Sequence, residues 1–187
     1  IEDAYLATQW VANNAHLYNG DPQNIAVGGD SSGGTMAAVV AQLSQDRGGP
    51  KLVFQWLAYS PTDYFLPGTQ SYKDLAIGYS MSRDWMIWFW NHYLPSDIDL
   101  NNPYICPLRS SNLRGLPPAF IMTAEYDPLK DDGELYAKKL QEAGVQVVFK
   151  CYEGLMHGFL LQRQRIDTAN QGFCDAIAEL SRAFIKG

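Results

Sequence analysis

The stretch Val27-Gly28-Gly29-Asp30-Ser31-Ser32-Gly33-Gly34 contains Gly-x-Ser-x-Gly at Gly29, Ser31 and Gly33. Glycine and serine are common, so the pattern alone constrains little. Its surroundings constrain much more. A short apolar run, Ile25 to Gly28, precedes it, and a helical pattern, Gly33 to Gln45, follows with Met36, Val40 and Leu43 expected inward. A strand that passes straight into a helix through such a sequence lifts one serine out of a tight, strained turn. Side chains two residues before and two after Ser31 are expected to collide, which calls for glycine at both places. The hydroxyl then stands above the strand end, beside a helix N-terminus whose unpaired N–H groups favour negative charge. The Ser32 N–H is the expected oxyanion donor. The competing reading is a phosphate-binding turn, but the spacing and lysine of a P-loop are missing and so is Gly-x-Gly-x-x-Gly.

The rest of the chain alternates helix and strand. Residues 2–18 read as a helix with Ala4, Thr8, Val11 and Ala15 on one side, stopped by Asn19-Gly20-Asp21-Pro22. Strands are expected at Leu52 to Tyr59, Ala119 to Ala124 and Val145 to Tyr152. Helices are expected from about Asp131 to Ala143 and from about Thr168 to Phe184. The last carries Phe173, Ile177, Leu180 and Phe184 as its apolar stripe. Between them, residues 62–116 are rich in aromatics, prolines and turn residues and hold one clear helix, Ser82 to Tyr93, capped by Ser82. Strands separated by helices imply a parallel sheet with helices on both faces, an α/β architecture.

A serine hydroxyl needs a base, and the chain offers three histidines. His16 lies at a helix end and His92 in the aromatic helix, where packing explains both. His157 sits in the glycine-flanked loop Glu153-Gly154-Leu155-Met156-His157-Gly158-Phe159, just after a strand, where a mobile base belongs. A carboxylate to orient it is expected after a strand and between Ser31 and His157. Asp127 meets this in Thr123-Ala124-Glu125-Tyr126-Asp127-Pro128-Leu129, and Pro128 biases it away from helical backbone. Glu125 is its main rival, while Asp131 and Asp132 read as first-turn residues favoured by the helix dipole.

These stretches together resemble the hormone-sensitive-lipase family of α/β-hydrolases, particularly its bacterial esterases. The resemblance rests on Gly29-Asp30-Ser31-Ser32-Gly33-Gly34, on Leu116-Pro117-Pro118-Ala119 with the Asp127 segment, on Glu142-Ala143-Gly144-Val145, and on Tyr152-Glu153-Gly154 with His157-Gly158-Phe159. Trp88-Phe89-Trp90-Asn91-His92-Tyr93-Leu94 adds to it, and the match runs over almost the whole chain. The resemblance implies an α/β-hydrolase fold with Ser31 as nucleophile, His157 as base and Asp127 as its partner. It implies that residues 62–116 contribute part of a helical cap, with Trp85, Met86, Trp88 and Phe89 as candidate acyl-pocket residues. Residues 1–187 are expected to form the C-terminal part of one hydrolase domain. The family's His-Gly-Gly-Gly oxyanion loop, its earlier strands and its cap helices are absent from the sequence, so an N-terminal segment or separate chain is expected to complete the fold and supply full activity.

The implied activity is hydrolysis of short-to-medium acyl esters through an acyl-enzyme, with no metal or organic cofactor. An amidase on the same fold, a small-ligand receptor and an inactive remnant are the other readings, and a homodimer is allowed for. Fourteen basic against twenty acidic residues leave no broad basic face for nucleic acid. With 47% hydrophobic and only 18% charged residues the chain can fill a core. No run is long enough to span a membrane. The three cysteines, Cys106, Cys151 and Cys174, are expected as buried thiols in a reducing, cytoplasmic setting.

Overall fold

The apolar runs that begin at Ile25, Leu52, Ala119 and Val147 become strands, and helices fill most of the spaces between. A computed structural model of the chain describes residues 1–186. Helix α1 (Glu2–Asn14) leads through a 3-10 turn (Ala15–Tyr18) to strand β1 (Ile25–Asp30), helix α2 (Ser32–Asp46) and strand β2 (Leu52–Ala58). After the short helix α3 (Gln70–Asp74) and helix α4 (Arg83–Tyr93) come strand β3 (Ala119–Tyr126), helix α5 (Lys130–Glu142), strand β4 (Val147–Met156) and helix α6 (Asp167–Lys186). The four strands form one parallel sheet in the order β1-β2-β3-β4. All strand C-termini therefore meet along one rim, where ligands of open parallel sheets bind.

Two cores lie on the two sheet faces. On one, Leu52, Leu57, Ala119 and Ile121 pack against α1, α2 and α5 through Tyr5, Val39, Leu43, Tyr136 and Leu140. On the other, Phe54, Ala58, Phe120, Met122 and Ala124 pack beneath α6. Burying such a side chain contributes about 1.5–3 kcal/mol, which outweighs the roughly 0.5–1 kcal/mol that each glycine costs a helix such as α2.

Several sequence expectations need correction. The apolar stripe of α6 runs through Ala169, Phe173, Ala176, Leu180 and Ala183, while Ile177 and Phe184 are exposed. Small alanines let this helix lie close to the sheet and turn the larger residues outward. Met36 points away from the core that takes Val40 and Leu43. Strand β4 begins at Val147 rather than Val145 and runs on to Met156. Only Cys106 is a buried thiol, and burial pushes it up to about 12. Cys151 on edge strand β4 and Cys174 on α6 are exposed. Among the described residues, no helix is long and apolar enough to cross a membrane.

Residues 62–116 gather a third cluster, in which Phe65, Tyr72, Met86, Trp90, Ile105 and Cys106 surround Leu129 from the β3–α5 loop. Polar ties lock this cluster to the rim. Asp132, in the first turn of α5, accepts the Thr62 N–H at 3.2 Å and the Asp63 N–H at 3.3 Å, and Thr62 donates its hydroxyl to the Asp132 carbonyl at 2.9 Å. Asp131 accepts the Ser71 N–H at 2.8 Å, and Ser71 donates its hydroxyl to the Pro128 carbonyl at 2.6 Å. The fully buried Asp132 has a second carboxylate oxygen without a protein partner. Burial holds its carboxyl well above the usual range, against the pull of the two N–H donors.

A raised folded-state value makes this group's contribution to stability complete below the ordinary carboxylate range and lost as pH rises through the folded value. Asp132→Asn keeps an acceptor for the two N–H groups and cannot ionise. Thermal melts at stepped pH should therefore show wild type at its best relative to Asp132→Asn below about pH 4 and losing ground as pH rises. Parallel curves would mean that Asp132 titrates normally.

Candidate active site

Ser31 sits between β1 and α2 with φ 52° and ψ −126°, a conformation most L-residues avoid. The backbone is held there from both sides. The Ser31 N–H donates to the Ala58 carbonyl of the neighbouring strand at 2.8 Å, and the Ser31 carbonyl accepts the Gly34 N–H at 3.0 Å. Steric crowding in the turn falls at positions 29 and 34, not at 33. A Cβ on Gly29 would run into the Gly33 backbone, and one on Gly34 would meet Ser60 Oγ and lie 2.9 Å from the Gly29 carbonyl. A Cβ on Gly33 would meet nothing within 4 Å. The expectation that glycine is needed two residues after Ser31 is thus corrected: the compact turn needs glycine at 29, as expected, and at 34 instead of 33, because the helix start is pressed against the strand end there.

His157 reaches Ser31 from the far end of the chain. Its Nε2 lies 3.0 Å from Ser31 Oγ, and its Nδ1 lies 2.7 Å from Asp127 Oδ2. Asp127 is fully buried, and its Oδ1 accepts the Leu129 N–H at 2.9 Å. The His157 side chain is only 9% exposed. Since a carboxylate only accepts, Nδ1 carries the proton and Nε2 is left to accept from the Ser31 hydroxyl. The loop carrying His157 is pinned by Glu125, which accepts the Gly154 N–H at 2.7 Å, and by Ser80, whose hydroxyl donates to the His157 carbonyl at 3.0 Å. The rival carboxylates are thus placed: Glu125 anchors that loop, while Asp131 and Asp132 hold residues 62–71. His92 stacks on Trp88 with ring centroids 4.0 Å apart, and His16 lies in the exposed 3-10 turn.

Ser32 opens α2, so its N–H has no intrahelical acceptor and stands next to Ser31. Beside it opens a cavity of about 320 Å³, with Ser31, Ser32 and Thr35 at its polar end. Met36, Met81, Met86, Phe89, Trp90 and Tyr93 form its apolar walls. The aromatic helix contributes positions 86, 89, 90 and 93, one face at helical spacing. Trp85 and Trp88 lie off that face, about half exposed, and do not line the cavity, which corrects their expected place beside Phe89. The period of 3.6 was the signal that would have chosen Trp90 and Tyr93 instead. Met36 faces this cavity, which explains its exposure.

The turn geometry predicts an asymmetric response to alanine. Gly29→Ala and Gly34→Ala should each destabilise by about 1–3 kcal/mol or more, as overpacking does. Gly33→Ala should be neutral or stabilise by up to about 1 kcal/mol through helix propensity. Urea unfolding midpoints of the three variants check this, and an equal loss at Gly33 would contradict it.

Comparison with known proteins follows the same lines. A profile described as the alpha/beta hydrolase fold matches residues 1–161. The carboxylesterase NlhH of Mycobacterium tuberculosis is 41% identical over 189 residues, covering 98% of this chain and 58% of its own length. The carboxylic ester hydrolase LipN of the same organism is 43% identical over 166 residues, 86% of this chain and 44% of its own. Among solved structures, EstE1, a thermostable carboxylesterase cloned from a metagenomic library, superposes with a TM-score of 0.94 at 36% identity, covering 98% of this chain and 63% of that one. The chain thus spans about half the length of these relatives, from 44% to 63% of each. Its parallel sheet, its strained serine turn and these likenesses together assign the chain to the alpha/beta hydrolase fold family, within the hormone-sensitive-lipase group of esterases that its motifs resemble.

Proposed function

We propose that this chain is the triad-bearing part of a serine carboxylesterase that hydrolyses short-to-medium acyl esters. The observation that carries the reading is the relay of Ser31, His157 and Asp127, with contacts of 3.0 Å and 2.7 Å, at the mouth of an apolar cavity. His157 Nε2 takes the Ser31 proton as Oγ attacks the ester carbonyl. Asp127 holds the tautomer and stabilises the imidazolium that forms. The Ser32 N–H donates to the tetrahedral oxyanion, and a glycine-rich loop N-terminal to Ile1 in the complete protein supplies further donors. Each such donor is worth about 2.7–4 kcal/mol in the transition state. His157 then protonates the leaving alcohol, and water enters by the reverse sequence to release the acid.

The cavity supports an acyl group as its occupant. Its walls are thioether and aromatic, and methionines adapt to varied chain shapes. Its size suits a short or medium chain better than a long lipid. Phe89, with Met86 and Trp90, forms the proposed acyl-binding wall, and residues 62–116 the cap segment that carries it.

The test is a fluorophosphonate probe on the complete protein, followed by turnover of p-nitrophenyl esters of increasing chain length. One adduct on Ser31 is expected. Ser31→Ala should abolish labelling, and Asp127→Asn should lower kcat by about 10⁴-fold, the effect of the wrong histidine tautomer. Turnover of anilides in preference to esters would favour an amidase. No adduct on the complete chain would overturn the hydrolase reading.

A further inference from the structure

Tyr59 breaks the rule that strand side chains alternate. Along β2, Leu57 faces the core shared with α2 and α5, and Ala58 faces the opposite core beneath α6. The next residue should return to the Leu57 face. Tyr59 instead shares the Ala58 face, because its φ of 39° turns the chain through left-handed space. For a bulky residue this costs of the order of 1–3 kcal/mol and persists only where neighbours impose it.

The neighbours are the reacting groups. Asp30 pairs with Ala58 across the sheet, so Ser31 and Tyr59 are the next residues on adjacent strands. Both carry positive φ, at 52° and 39°. The Tyr59 N–H donates to the Met122 carbonyl at 2.7 Å, which fixes the bend to β3. The ring, 1% exposed, meets the His157 imidazole edge-on, with centroids 4.9 Å apart at 63°. It also meets Phe159, two residues further on, at 5.2 Å. Its hydroxyl donates to Asp30 Oδ2 at 3.3 Å, immediately before the nucleophile. Burial, with the Asp30 carboxylate next, pushes the phenol up, so it stays a neutral donor.

We infer that Tyr59 is a positioning residue for acyl transfer: its ring walls the imidazole of His157 while its hydroxyl holds the Asp30–Ser31 turn. One residue with a strained backbone thereby sets the distance between nucleophile and base. The inference rests on the esterase reading.

The experiment measures kcat and KM for p-nitrophenyl acetate, with urea stability, in the complete protein. Tyr59→Leu removes ring and hydroxyl, and Tyr59→Phe restores the ring. Tyr152→Leu is the control, since Tyr152 packs on Phe159 in the same cluster and has its hydroxyl on Asp175. Tyr59→Leu should lose about 10- to 100-fold in kcat, the effect of misplacing a reacting group by about 1 Å, with KM changed by less than about twofold. Tyr59→Phe should regain most of that kcat, and Tyr152→Leu should lose stability but keep kcat within about threefold. If Tyr59→Leu does not fold, Tyr59→Met carries the same expectations. Wild-type turnover with an unchanged kcat in Tyr59→Leu, or a loss no greater than that of Tyr152→Leu at equal stability, would overturn the inference and leave the esterase reading standing. Absence of wild-type turnover would overturn both.

Discussion

The hydrogen bond from the Ser31 N–H to the Ala58 carbonyl, at 2.8 Å, ties the serine turn to the parallel pairing of β1 with β2. The site is a consequence of that register. A slip of one residue would invert every side chain of a strand, and here it would also move Ser31 off its acceptor. The pairing of β3 with β4 plays the same part for the other two residues. It runs from Ala119 opposite Val147 to Ala124 opposite Tyr152, then shifts by two residues to set Tyr126 opposite Met156, so that the two strands release Asp127 and His157 as the next residue on each. Parallel strands deliver all three groups to one edge of the sheet, and the two cores keep that edge rigid.

Two buried aspartates in the β3–α5 segment show how environment separates roles. Asp127 has both oxygens engaged, one by the Leu129 N–H and one by His157 Nδ1. Asp132 spends one oxygen on two backbone donors and leaves the other without a protein partner. The first is held between a backbone donor and the His157 ring. The second is arranged as a strut between α5 and the loop that also carries Pro61, a cavity residue. The Arg109 side chain adds to that strut by binding Asp63 at 2.5 Å and the Leu100 carbonyl at 3.1 Å. Residues 62–116 are thus held to the rim by polar contacts beside a small apolar cluster.

Much of this was legible in the sequence because it depends on local chemistry. The order of strands and helices follows from apolar period and from turn residues, and Ser31, Asp127 and His157 each follow a strand in the required chain order. What stayed hidden depends on directions in space. On α6 the stripe keeps Phe173 and Leu180 but takes Ala169, Ala176 and Ala183 in place of Ile177 and Phe184, and on α4 Trp90 and Tyr93 join Met86 and Phe89 at the cavity in place of Trp85 and Trp88. The motif marks the glycine requirement at 29, but the one at 34 comes from how closely two elements are pressed together, which no pattern in one dimension states. Tyr59 reads as an ordinary strand-end aromatic until its backbone angle is known. Cys151 looked buried because its strand is apolar, although that strand lies at an edge of the sheet.

The spacing of the three groups along the chain has a consequence for how the site comes into being. Ser31 and His157 are 126 residues apart, and Asp127 and His157 are 30 apart. Contacts of such long range form late, because loop closure precedes any reward from them. On the ribosome the serine turn is synthesised well before His157. The nascent chain therefore passes through a stage in which β1 and β2 can pair while His157 is still to come. The three side chains come within hydrogen-bond reach of one another only once β4 has joined the sheet beside β3.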